Sequence, residues 1–453
     1  MKKREWEDYI LGKKKHTQGE VSSLETEVLG IPDLLVLDDR SDDDSFYAVH
    51  KRYFQDDKAV CPACGSIKTR CSKVEKRKFK DILWQGDDEF KIINLFFYQR
   101  YLRCDGCNDS VFPEDIDFAE KGCRYTNRFS DALANGTFRF SYKKVCNYYG
   151  VPASTASVGA IMRRRIQYRE SLLAPIKTPK VLCIIEALFY GNTYPVVLAL
   201  WDDEVYCIDI LEDTSEGVYA KLFKTMDSNR VETVFIDPEE SLRSAVATYF
   251  PTASVVVTDE CIFRYAKNAM LDIIHEDGKR FPVKYKEDRL TLRKKHLPDD
   301  YTKKQINEGL LSRPRLKIAY ECHQQLLDLK ETEWSYEELA SWANGNSNEL
   351  SEFEDISDVI EIYKTEVKTF LDSRVNPPEV YSTSVQAICE AIKTMPHCIF
   401  EVLRARCLLT ISHDTIEENG EILRLGIKVN RLTQNMNNIA TNIKEDREYY
   451  GLE

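Results

Sequence analysis

Between residues 180 and 260 the hydrophobic positions fall into short, separated runs: "VLCIIEALFYG", "PVVLALW", "VYCIDIL", "VETVFID" and "ASVVVTD". Each has the length and β-branched content of a buried strand and is bounded by turn residues. Two intervening stretches, "GVYAKLFKTM" and "SLRSAVATYF", instead place apolar residues three and four apart, as one face of a helix does. The predicted order is therefore three strands, helix, strand, helix, strand. Outside this region the pattern is helical, over residues 120 to 170, 265 to 375 and 380 to 450, with a polar break at "NGNSNELSEFED". No internal repeat is visible.

That order is the one expected of an RNase H-like α/β domain, although periodicity predicts the elements and not their pairing. The chain reads as a multidomain α/β protein. The expected parts are an N-terminal arm over 1–57, a zinc ribbon over 58–118 and a helix-turn-helix over 119–172. The first part of an RNase H-like core follows over 178–265, then a helical insertion over 266–378 and the C-terminal helices and tail over 379–453. The arm holds a short apolar run, "IPDLLVL", and an acidic cluster, "DDRSDDDS", and is assigned no chemistry.

A chain of 453 residues is long enough for several cores, and 43% hydrophobic with 30% charged residues is an ordinary globular balance. No apolar run approaches the roughly 20 residues of a membrane span. The segment "MKKREWEDYILGKKKH" mixes both charges and has no apolar core of a secretory signal, so a cytoplasmic location is expected. The fourteen cysteines are spread along the whole chain, which favours reduced thiols, some of them holding metal. A net charge of −12 argues against nucleic-acid binding over the whole surface. It conceals a local exception. From Lys121 to Arg169 ten basic residues face the single acid Asp131, a balance of +9.

Cys61 and Cys64 sit in "CPACGS", and Cys104 and Cys107 in "CDGCND". Each C-x-x-C can put two thiolates on one turn, so the pairs supply the four soft ligands of a structural, closed tetrahedral zinc site. The intervening sequence reads as a hairpin returning the second knuckle to the first. Cys71 and Cys123 lack such partners and read as packing residues.

In "FSYKKVCNYYGVPASTASVGAIMRRRIQY", Ser141 is positioned as a helix cap, Val145 and Tyr149 as apolar contacts, and Gly150 as the turn before a second helix. Read as a helix-turn-helix, this places Ser154, Thr155 and Ser157 near base edges of double-stranded DNA, with Lys143, Lys144, Arg163, Arg164 and Arg165 on phosphate. The alternative is a helical hairpin with a solvated basic face.

The order of these parts resembles the zinc-ribbon DDE transposases of bacterial insertion sequences, the ISL-three type. The resemblance runs over roughly residues 58 to 415 and rests on "CPACGS", "KFKDILWQG", "RYLRCDGC", "YYGVPAST", "VFIDPEESLRSAVATYFPTASVVVTDE", "RPRLKIAY" and "AIKTMPHCIFEVLRAR". It implies DNA strand cleavage and joining by two Mg²⁺ ions on three carboxylates, a homodimeric assembly and a nucleoid-associated bacterial protein. Asp237 stands at the second carboxylate position. At the first, where the family has Asp then Glu, the chain reads Ile185 then Glu186, and at the third it reads Gln386. The family's Asp, aromatic, His sequence is also altered, since Asp259 leads into Glu260, Cys261 and Ile262.

Ile has no donor atom, and Glu186 points to the opposite strand face from position 185. The resemblance therefore implies a transposase-like DNA-binding protein with a degenerate site that needs no Mg²⁺. A rearranged site, in which Glu186, Asp237 and either Glu390 or Glu401 converge on Mg²⁺, stays open, since Glu390 is one helical turn from Gln386. So does a regulatory subunit that binds a protein partner through the helical insertion.

Overall fold

The computed structural model describes residues 29–31, 33–37, 44–50, 53, 59–84, 90–107, 111–151, 155–189, 191–202, 204–280, 313–331, 334–373, 379–395 and 398–449. The chain divides into two compact units, Met1–Tyr168 with Asp446–Glu453, and Arg169–Glu445.

The first unit is built on strands β1 (Leu34–Val36), β2 (Ser45–His50), β3 (Thr69–Trp84), β4 (Phe90–Cys104) and β5 (Val111–Pro113). They form one sheet in the order β1-β2-β4-β3, with β5 also on β4. The long β3–β4 pair is antiparallel from Thr69 opposite Cys104 to Trp84 opposite Phe90, with a register shift between Cys71 and Lys73. Alternation sends Phe79, Leu95 and Phe97 into a core completed by Leu34, Leu35, Leu37, Ala48 and Val49. The apolar run assigned to the N-terminal arm is thus part of the sheet's core. Leu34, Leu35 and Leu37 bury too much apolar surface to remain outside it. Residues 38–43 of the acidic cluster lie outside the described residues.

Three helices follow, α1 (Asn127–Arg139), α2 (Tyr142–Tyr148) and α3 (Thr155–Ser171). Thr126 caps α1 by accepting from the Phe129 N–H, and Ser141 caps α2 by accepting from the Lys144 N–H at 3.3 Å. Gly150 adopts φ +54° after α2, the left-handed turn its lack of a side chain permits. Val145, Tyr149 and Val151 pack with Phe129, Leu133 and Ile82. Fully buried Asp81 of β3 joins the hairpin to α1: its carboxylate pairs with Arg128 and accepts from the Thr126 hydroxyl at 2.5 Å.

The second unit holds β6 (Val181–Phe189), β7 (Asn192–Trp201), β8 (Glu204–Ile210), β9 (Thr233–Ile236), β10 (Ser254–Val256), β11 (Asp414–Glu418) and β12 (Glu421–Lys428). Their sheet order is β10-β9-β6-β7-β8-β12-β11. The strands β6, β7 and β8 are antiparallel neighbours, and β9 and β10 run parallel to β6. This pairing agrees with the RNase H-like arrangement expected from the element order. The β11–β12 hairpin, which strand-like periodicity did not reveal, extends the β8 edge. Its alternating runs are short and lie within a stretch read as amphipathic helix.

Both faces of this sheet are covered. On one, Leu182, Ile184, Val234 and Ile236 meet α4 (Glu216–Phe223), α5 (Glu240–Tyr249) and α6 (Asp259–Arg280). The charged region continues the same layer as α7 (Pro314–Glu331), α8 (Tyr336–Ser347) and α9 (Glu354–Ile362). On the other face, Cys183, Ala187 and Phe235 meet α11 (Glu379–Thr394), α12 (Phe400–Leu408) and α13 (Val429–Tyr449), together with Phe370 of α10 (Lys364–Ser373).

Gly426 of β12 is at φ +115°, and a Cβ there would lie 2.5 Å from the Cys207 carbonyl oxygen of β8. Neither the strand backbone nor the dihedral can yield cheaply. Gly426→Ala is expected to destabilise the second unit by about 2 kcal/mol or more, measurable as a lower denaturation midpoint.

Candidate functional site

Two places bring chemistry-bearing side chains together. In the first unit, Cys61 and Cys64 precede β3 and Cys104 ends β4, so the antiparallel register that sets Thr69 opposite Cys104 superposes the knuckles. The ligand atoms of Cys61, Cys64, Cys104 and Cys107 all lie within 4.8 Å of one another. The Cys61 and Cys107 sulfurs are 3.6 Å apart, as are those of Cys64 and Cys104. A tetrahedral zinc–thiolate centre with bonds of about 2.3 Å has sulfur–sulfur edges of about 3.8 Å, so the donor set fits such an ion. Burial works against a Cys61 thiolate, but the N–H groups of Ala63 and Cys64 and the neighbouring thiols outweigh it and bring its pKa down to about 6. Four protein donors leave no position for a substrate, and the ion would hold the two knuckles together.

The second place is the carboxyl end of β9. Asp237 lies one residue beyond that strand and donates its N–H to the Ile184 carbonyl at 3.2 Å. Since Ile184 is opposite Ile236, Ile185 and Asp237 are neighbours on one sheet face, where Ile185 packs with Cys183 and Phe235. The first two carboxylate positions implied by the resemblance are therefore adjacent in space. One of them carries a hydrocarbon.

Asp237 is 2% exposed, and its oxygens are occupied by this chain's own donors. Arg264 pairs with Oδ1 at 2.6 Å, the Cys261 thiol donates to Oδ1 at 2.9 Å, and the Glu186 backbone N–H donates to Oδ2 at 2.6 Å. Cys261 and Arg264 are three residues apart near the start of α6, so both reach the carboxylate from one helix face. Burial first, then Asp237, pushes the Cys261 pKa well up, which keeps it a proton-bearing donor. Burial opposes the Arg264 charge, but Asp237 more than offsets this and raises its pKa further.

Glu186 lends Asp237 its backbone while its side chain takes the opposite alternation from Ile185. Burial and then the Asp237 charge push its carboxyl up to about 7, with Arg264 acting in the other direction. Gln386 and Glu390 on α11 are both exposed, and the Gln386 amide donates to Glu390 at 2.9 Å. Glu401 is exposed as well. Among the described residues, the four cysteines are the one group of three or more His, Cys, Asp or Glu side chains with ligand atoms close enough for a metal. The convergence of Glu186, Asp237 and Glu390 considered from the sequence is not assembled, because strand alternation and the solvent-facing side of α11 separate them. This donor set does not fit a pair of Mg²⁺ ions, which require several free carboxylate oxygens between them.

Arg264 was not singled out from the sequence. Its signal was there: Cys261 marked the altered motif, and an arginine one turn later shares its face.

The residues expected on DNA fare differently from one another. Ser154 lies outside the described residues, and Thr155 and Ser157 are placed only as backbone of α3. Lys143 and Arg163 are exposed. Lys144 pairs with Asp446 at 2.8 Å, and Arg164 pairs with Glu120 at 3.1 Å. Arg165 is 5% exposed, pairs with Asp131 at 3.3 Å and donates to the Asn127 carbonyl at 3.0 Å. The expectation that Arg165 neutralises phosphate is corrected by its place on the helix. It falls on the buried stripe of Val158, Ile161, Met162 and Ile166, where Asp131 and Glu120 of the same chain hold its guanidinium.

Two expectations follow. Purified chain should contain about one zinc ion, and Cys64→Ser should lose it, as read by elemental analysis. The raised folded-state pKa of Glu186 means that wild-type stability is highest below the unfolded carboxyl pKa and falls as pH rises through about 7. Glu186→Gln removes that loss. After allowance for its partial exposure, the variant should melt about 2–4 °C above wild type at alkaline pH and equal to it in mild acid.

No curated protein matches the chain. A family model described as Transposase, that of the ISL-three DDE type, matches residues 187–386. The match thus starts immediately after Glu186, includes Asp237, Cys261 and Arg264, and ends on Gln386. Over residues 187–386 the chain is therefore similar to the ISL-three-type DDE transposase family.

Proposed function

We propose that this chain is a transposase-derived DNA-binding protein. In this reading it recognises a specific duplex, similar to a transposon end, through a zinc ribbon and the helix-turn-helix formed by α2 and α3. The zinc-ribbon reading is supported by four converging thiols at the base of a hairpin. The helix-turn-helix reading is supported by the Ser141 cap, the left-handed Gly150 and the shared core of Val145, Val151 and Ile161. Arg163 and Lys143 are its candidate phosphate contacts, with Thr155 and Ser157 near base edges.

In the same reading the RNase H-like domain is a scaffold whose catalytic centre has degenerated. The observation that carries this is the occupancy of Asp237 by Arg264. A guanidinium fixed on the remaining carboxylate supplies the positive charge that a metal would supply elsewhere, but it cannot bind and activate a water or a 3′-hydroxyl. The neighbouring first position, Ile185, offers no replacement ligand. Zinc acts structurally here, and assembly as a homodimer on paired DNA ends is part of the proposal.

The test compares wild type with Asp237→Ala on duplex DNA, with Mg²⁺ or Mn²⁺ present. The expected result is a gel-shift complex for both proteins and no cleavage or joining by either. Metal-dependent strand transfer by wild type that drops by about 10²-fold or more in Asp237→Ala would establish a working recombinase instead.

A further inference from the structure

The helical segment that carries most of the local positive charge uses much of it internally. Arg128 is held by Asp81, Lys144 by Asp446, Arg164 by Glu120, and Arg165 by Asp131. Lys121, Arg124, Arg139, Lys143 and Arg163 stay exposed, and a protein of net charge −12 that approaches DNA gains from further cations beside them.

The β2–β3–β4 sheet supplies them. Lys76 and Lys78 lie two residues apart on β3, both exposed, with no acidic partner among the described residues. On one strand face they are about 7 Å apart. Lys78 lies opposite Phe96 of β4, and Phe96 lies opposite Tyr47 of β2. The Tyr47 and Phe96 rings stack at 4.7 Å between centroids with an interplanar angle of 16°. The Lys76 ammonium lies 5.2 Å from the Phe96 centroid and 5.9 Å from that of Tyr47, and Lys78 lies 5.4 Å from Phe96. Aromatic faces hold an ammonium in place without cancelling its charge, as a carboxylate would. Lys80, next on the same face, donates to the Gly150 carbonyl at 2.9 Å. The basic strip thereby continues from the sheet to the turn that leads into α3.

From this we infer that the outer face of the β2–β3–β4 sheet is a second contact surface for duplex DNA, with Lys76 and Lys78 engaging the phosphate backbone beside the site used by α3. The inference rests on the DNA-binding reading above and deepens it, by naming the face of the ribbon hairpin that meets the duplex. The backbone is the matching part of the duplex because the ring faces are already roofed by ammonium groups. They are not open platforms for unpaired bases.

The test uses the full zinc-loaded chain and a mixed-sequence duplex, with affinity measured across a salt series. Lys76→Gln/Lys78→Gln is compared with Lys73→Gln, whose lysine is on the opposite face and paired with Glu75 at 2.5 Å. The double variant should bind about tenfold more weakly at moderate salt, with the log–log salt slope lower by about 2. Lys73→Gln should match wild type. All three lysines are at the surface, so matching thermal melts verify folding. If the double variant keeps the wild-type affinity and slope, or if Lys73→Gln loses as much, the surface is wrong and the DNA-binding reading stands. If wild type binds no duplex, both fall. Tighter binding to single strands than to duplex, lost in the double variant, would overturn the assigned occupant.

Discussion

A carboxylate taken out of water must be neutralised, and at Asp237 the neutralising cation is an arginine of the same chain. This ion pair joins the end of β9 to the start of α6, while the second oxygen of Asp237 receives the Glu186 N–H of β6. Three elements of the second unit meet at one buried acid. Breaking such a pair from one side leaves an unpaired charge in the interior, which is far more costly than never having buried it. The arrangement therefore constrains itself: Asp237 requires Arg264, and Arg264 with Cys261 on one oxygen and the Glu186 N–H on the other engage both carboxylate oxygens.

The neighbouring substitutions are consistent with that constraint. Ile185 packs against Cys183 and Phe235 where a second carboxylate would otherwise face Asp237. Two acids side by side without metal would repel each other, and each would raise the other's pKa. A hydrocarbon beside an arginine-paired aspartate needs no ion. Glu186 remains, on the other strand face, with its carboxyl pushed up to about 7 by burial and by Asp237. That shift measures poor solvation of its charge, and no electrophile or metal is placed against it.

Charge in the first unit is divided by a similar logic. Buried Asp81 and half-exposed Asp131 claim arginines from the basic helical segment, which ties α1 and α3 in place and withdraws those cations from the surface. The lysines of β3 rest on aromatic rings instead. A ring fixes a cation but leaves its field intact, so the sheet face adds exposed charge to that of Lys121, Arg124, Arg139, Lys143 and Arg163 in the basic stretch.

Much of this was legible in the sequence, because it is local. The paired cysteines, the Ser141 cap, the Gly150 turn and the strand order from 181 to 256 follow from spacing, backbone freedom and periodicity within a few residues. Alternation alone also implied that Glu186 could not stand in for position 185. Other features depended on which elements meet. Leu34 and Leu35 look like an arm until β2 aligns with β4. Arg165 looks like a phosphate anchor until its stripe turns inward onto Asp131, and Arg264 has no evident role until α6 reaches Asp237. The physical reason is range: backbone propensity and hydrophobic period act between near neighbours, whereas the fate of a charge is set by whichever opposite charge the fold brings within a few ångströms of it in a poorly solvated interior.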